Sequence, residues 1–170
     1  QAAASAALAA LAEALRQAAA TETDPVLLAQ LLALPDEFML GDREPRIDVD
    51  GVANGLAFLR AELGHALHDD LLSVLERFAD DDPTGTSGAD IGKRWLVEPC
   101  LAALLATGGG AAMAAAMAQL ASPNATRAVR ALGQLAHLDT VPLDDLLAET
   151  YARWQHAPKL VDRWLRAQSG

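Results

Sequence analysis

One cysteine, Cys100, is present, so an internal disulfide is excluded. It lies among Leu96, Val97, Leu101 and Leu104 at helical spacing, which predicts a small core residue rather than a reactive thiol. Aromatic residues are only 4% of the sequence, too few for a core built on rings. Positive charge is scarce as well: 13 lysines and arginines stand against 23 acids, a net charge of −10. Nucleic acids and anionic membranes both select a basic footprint, so neither is expected as a partner. A membrane span needs about 18 apolar residues without charge. The nearest approach, Leu101–Ala121, is interrupted by Thr107-Gly108-Gly109-Gly110. A secretory leader needs a basic start, whereas here apolar residues come first and Glu13 and Arg16 break them up. These absences predict a cytoplasmic location. Alternating β-branched runs are also missing, which argues against a sheet.

What the chain does have is alanine and leucine, the strongest helix formers, within a composition that is 52% apolar. A length of 170 residues is that of one domain able to bury a core. The expected fold is all-α: eight to ten helices joined by short links in an irregular α-α superhelix of helical hairpins, since no strict repeat is visible. Residues 1–170 read as a single helical domain. With no initiating Met and a helical pattern at both ends, it reads as a piece of a longer protein.

Along the chain, Leu8, Leu11 and Leu15 mark the face of a first helix over Ala2–Ala20. Thr23 or Asp24 can cap the next, with Pro25 in its first position and its end near Leu34. Pro35-Asp36-Glu37 opens a short turn that carries Phe38 to Leu40. Gly41 to Asp50 reads as a charged loop, with Asp48 or Asp50 capping a helix from about Val52. Leucines 56, 59, 63, 67 and 71 continue that helix, with Gly64 as the weak point where it could divide. Asp80 to Gly88 is the clearest loop. A helix over Ala89–Ala106 holds Pro99, which predicts a kink or restart. Ala111–Ala121 follows with Met113, Met117 and Leu120 inward, then Asn124 caps Ala125–Leu138.

Little here suggests chemistry. His65 and His68 are three apart beside Asp69 and Asp70, but a zinc site needs three or four converging ligands, so a solvated helix face is the expectation. There is no HExxH. Gly108-Gly109-Gly110 and Gly92-Lys93-Arg94 lack the strand and the Gly-Lys-Ser/Thr of a phosphate loop. Ser87 and Ser122 lie outside any G-x-S-x-G elbow. Asp80 to Asp82 lacks the spaced oxygens and closing glutamate of a calcium loop. Asp144 and Asp145 suit the first turn of a helix. Trp95, Trp154 and Trp164 are expected in the core. No catalytic, cofactor-binding or metal residue is assigned.

The aromatics cluster near the end, in Pro142 to Gln168. Tyr151 and Trp154 share a helix face, as do Leu160, Val161, Trp164 and Leu165, with Gln155-His156-Ala157-Pro158 between them. This predicts a helical hairpin closed by its aromatic faces. Tyr151-Ala152-Arg153-Trp154, then Leu160-Val161-Asp162-Arg163-Trp164 and Ala167-Gln168, resemble the C-terminal helical domain of bacterial aminopeptidase N, the gluzincin zinc aminopeptidases. Arg163 stands where that family has lysine and Leu165 where it has phenylalanine. Leu34-Pro35-Asp36-Glu37 is similar to its Leu-Pro-Ser-Glu turn, and Gly92-Lys93-Arg94 with Leu96, Cys100 and Leu101 to its Gly-Arg-Arg helix. Asn124-Ala125-Thr126 matches an Asn-x-Thr segment, but Arg127 and Ala128 replace the Asp-Arg that follows there.

The resemblance covers about Ala33 to Gln168. It implies an accessory domain that is not itself catalytic, covering the active-site cavity of a zinc enzyme that removes N-terminal amino acids from peptides. Its partner is then the upstream catalytic domain of the same chain, which holds the zinc, and peptides meet it through the parent enzyme. The alternative is an independent helical-repeat scaffold for protein–protein interaction.

Overall fold

The computed structural model describes residues 2–35, 39, 48–79, 82, 84–138 and 142–168. The expected turn at Phe38 and most of the loops at 41–50 and 80–83 lie outside these residues. Ten helices and no strand occur among those described: α1 (Ala2–Thr21), α2 (Pro25–Leu32), α3 (Val49–Ala66), α4 (His68–Arg77), α5 (Gly88–Trp95), α6 (Val97–Leu105), α7 (Gly110–Leu120), α8 (Ala125–Leu135), α9 (Leu143–Trp154) and α10 (Pro158–Arg166).

Their starts follow local side-chain chemistry. Asp24 accepts from the backbone N–H of Val26 at 2.8 Å, and Pro25 takes the first helical position. Asp48 accepts from Gly51 at 3.0 Å and so starts α3 at Val49, earlier than the apolar pattern suggests. Ser87 and Asp90 form a reciprocal capping box on α5. Asn124 caps α8 through Thr126 and Arg127. Helix α2 stops at Leu32 rather than Leu34, because the residue before Pro35 disfavours helical backbone. Helix α8 stops at Leu135, three residues before the expected Leu138.

Two breaks have distinct causes. Pro99 has no N–H to return to the Trp95 carbonyl, and the chain restarts there: α5 ends at Trp95, and Pro99 sits in the first turn of α6. The break expected at Gly64 falls at Leu67, and the acids of His68-Asp69-Asp70 then open α4. Gly64 instead lies where α3 crosses α6. A Cβ at Gly64 would run into the carbonyl oxygen of Ala103.

Helix α6 is the centre of the molecule. It packs against α2, α3, α4, α5, α7 and α8, and its Val97, Cys100, Leu101 and Leu104 are fully buried. Burial pushes the Cys100 thiol up to about 12, so it behaves as a small apolar side chain. One contiguous core runs from Ala12 in α1 to Trp154 in α9. Alanines take positions where longer side chains were expected. In α1 the buried residues are Ala12, Leu15 and Ala19, while Leu11 is exposed. In α7 they are Ala112, Ala116 and Leu120, with Met113 half-buried and Met117 exposed. Short side chains let these helices approach closely, and the longer ones are left on the flanks.

The hairpin of α9 and α10 forms as expected, but its aromatics divide. Tyr151 and Trp164 meet with ring centroids 5.1 Å apart. Trp164 donates its indole N–H to the Leu147 carbonyl at 3.0 Å. Trp154 turns away into the main core and is buried. Trp95 is 42% exposed, contrary to the expectation of a core residue.

Candidate functional site

The histidines do not assemble a ligand set. His65 is exposed near the end of α3, whereas His68 begins α4, so they share no single helix face. His68 Nδ1 lies 3.0 Å from Asp69, and Asp70 faces Arg16 Nε at 3.4 Å. Among the described residues no three His, Cys, Asp or Glu side chains are grouped to hold a metal ion.

The other motifs have structural work. Gly92 is buried where α5 crosses the start of α2, and a Cβ there would lie 2.7 Å from the Val26 nitrogen. Gly108 takes a φ of +71°, a left-handed turn that ends α6. Ser87 caps α5, and Ser122 accepts from the Asn124 N–H at 3.1 Å. Asp144 and Asp145 occupy the first turn of α9. Asp82 accepts from Thr84, whose hydroxyl and N–H hold the carboxyl below the usual carboxylate range, while Asp80 and Asp81 lie outside the described residues.

A site does appear on a surface that no sequence motif marks. A groove of about 690 Å³ opens between α2, α3, α6 and α8. Leu34, Trp95 and Pro99 supply apolar wall, and Arg60 reaches it from α3. A second recess of about 430 Å³ continues it toward α10. The two share Glu98, Arg130, Gln134 and His137, so they form one strip. Arg163 and Arg166 line its far end. Arg130 and Gln134 are four apart on one flank of α8, beside the buried face of Ala128, Ala131 and Leu135, and His137 lies in the turn just past its end. Arg130 is held by an ion pair to Glu98, and Arg166 pairs with Asp162 at 2.9 Å.

Across its full length, residues 1–170, the chain matches the family described as "Domain of unknown function (DUF3458_C) ARM repeats". The chain belongs to this family. Helices stacked in pairs around α6, and the hairpins α7–α8 and α9–α10, are the ARM-repeat architecture carried by an irregular sequence. A curated relative, Aminopeptidase N from Haemophilus influenzae, is 30% identical over 148 residues. That alignment takes in 87% of this chain and 17% of the relative, so the chain spans less than a fifth of that protein's length. The ARM-repeat family and this relative together uphold the likeness to the C-terminal helical domain of aminopeptidase N that the aromatic hairpin carries.

Proposed function

We propose that this chain is the C-terminal helical accessory domain of a cytoplasmic zinc aminopeptidase. In this reading residues 1–170 are one domain of a larger enzyme and contribute no catalytic, cofactor-binding or metal-ligating residue. The zinc and its ligands belong to an upstream catalytic domain of the same polypeptide, and this domain covers the active-site cavity and limits which peptides reach it. The observation that carries the reading is the match to an ARM-repeat family along the whole chain, with aminopeptidase N as a relative at 30% identity.

The parent polypeptide tests this directly. Metal analysis should find zinc, and release of N-terminal amino acids should be faster from short peptides than from long ones. Zinc without peptidase activity would sink the enzyme assignment, and equal rates at all peptide lengths would sink the access role.

A second reading, an independent helical-repeat scaffold for a protein partner, is favoured by one observation. The arginine-lined groove has the form of an interaction surface. A gene that encodes this domain alone would decide for it.

A further inference from the structure

Nine arginines lie among the described residues, and they fall into two groups. Five are spent on backbone carbonyls of other elements: Arg16 donates to Ala66, Arg77 to Ala19, Arg94 to Gly85, Arg127 to Phe78 and Arg153 to Leu120. The other four, Arg60, Arg130, Arg163 and Arg166, all line the groove. Among the described residues its one lining acid is Glu98, which pairs with Arg130, and Arg166 pairs with Asp162 beside the strip. Arg60 and Arg163 make no ion pair among the described residues, and Arg163 is exposed. Beside them is apolar surface, including the 42% exposed Trp95.

We propose that this groove is a docking site for a separate polypeptide: an extended acidic segment whose carboxylates pair with Arg60 and Arg163 and whose apolar side chain rests on Leu34, Trp95 and Pro99. The choice of occupant follows from charge complementarity. Guanidinium groups form paired hydrogen bonds with carboxylates, and the acidic remainder of the surface turns away long polyanions such as nucleic acid while leaving the strip open to a short segment. The inference goes beyond the aminopeptidase reading and applies to the domain alone or within an enzyme.

The test uses the 170-residue chain and a fluorescein-labelled peptide of Glu and Gly with a central Leu, followed by fluorescence anisotropy. Saturable binding is expected, weakening as salt shortens the Debye length. The same peptide with Lys for Glu should not bind. Arg60→Glu with Arg163→Glu should weaken binding by at least about tenfold, while Lys159→Glu, outside the groove, should leave it unchanged. In the unaltered chain, the indole N–H resonance of Trp95 should shift on titration, a readout that needs no variant. The proposal is overturned by equal binding of the Lys peptide, by tighter binding of oligothymidylate, by no binding, or by an unmoved Trp95 resonance. None of these outcomes bears on the aminopeptidase reading, which is measured on the parent polypeptide.

Discussion

At Gly64 and Gly92 a missing Cβ lets two helices touch backbone to backbone, α3 on α6 and α5 on α2. Alanine is the better helix former by about 1 kcal/mol, yet here it should lose. Gly64→Ala and Gly92→Ala are each expected to destabilise the chain by about 1–3 kcal/mol, because the new methyl meets backbone that cannot move aside. Urea unfolding checks this, and a gain in stability for either variant would show that the crossing opens freely. The sequence reads Gly64 as a place where a helix weakens, which is what glycine means within one helix; its role depends on a second helix thirty-odd residues away. Trp154 and Trp164 make the same point. Both sit on apolar helix faces in the sequence, but only Trp154 is buried in the main core. Trp154→Ala is expected to cost about 3–5 kcal/mol, and Trp164→Ala less, because its ring is half-buried. Thermal unfolding of the two variants side by side would reveal a reversed order.

At the scale of elements, helix starts set by a capping side chain were legible, as were the ends of α1, α6 and α7 to within a residue, whereas α2 and α8 stop short of their expected ends. Asp24, Asp48, Ser87 and Asn124 act within a few residues of where they stand, so their role can be read locally. The Asp90 carboxyl of the α5 capping box is held below the usual carboxylate range, chiefly by the hydrogen bond from Ser87. A carboxyl with a lowered folded value contributes stability above its unfolded value and loses it as pH falls through the folded one. The difference in melting temperature between the unaltered chain and Asp90→Ala is therefore expected to be full near neutrality and to shrink as pH drops below the ordinary 3.8. A constant difference down to low pH would contradict this. Helix ends are closed from a distance. Arg16 reaches the end of α3, Arg77 that of α1, Arg127 that of α4 and Arg153 that of α7, each placing a cation where the helix dipole is negative. Arg127 is buried and also donates to Gln119 at 2.9 Å. Arg127→Ala is expected to cost about 2–4 kcal/mol, measured by urea unfolding, since the Phe78 carbonyl loses its buried donor and a void replaces the side chain. A cost under about 0.5 kcal/mol, the level of an ordinary surface change, would mean that water takes over the carbonyl.

For the whole molecule, the aminopeptidase reading predicts that the purified 170-residue chain, supplied with zinc, releases no amino acid from a p-nitroanilide reporter. Measurable turnover that survives further purification would place catalysis inside this domain. Composition and period alone determined the all-α class, most helix starts and the aromatic hairpin, because helix propensity, capping and turn chemistry act over a few residues. The hairpin residues also carried the likeness to aminopeptidase N. Tertiary structure decided which alanines face the core, why Gly64 and Gly92 must lack a side chain, and which arginines close helix ends. It also decided that Arg60, Arg130, Arg163 and Arg166, up to about a hundred residues apart in the chain, line one groove. Each of these depends on contacts between distant segments, and a charge at one position carries no local mark of the neighbours that folding will bring to it.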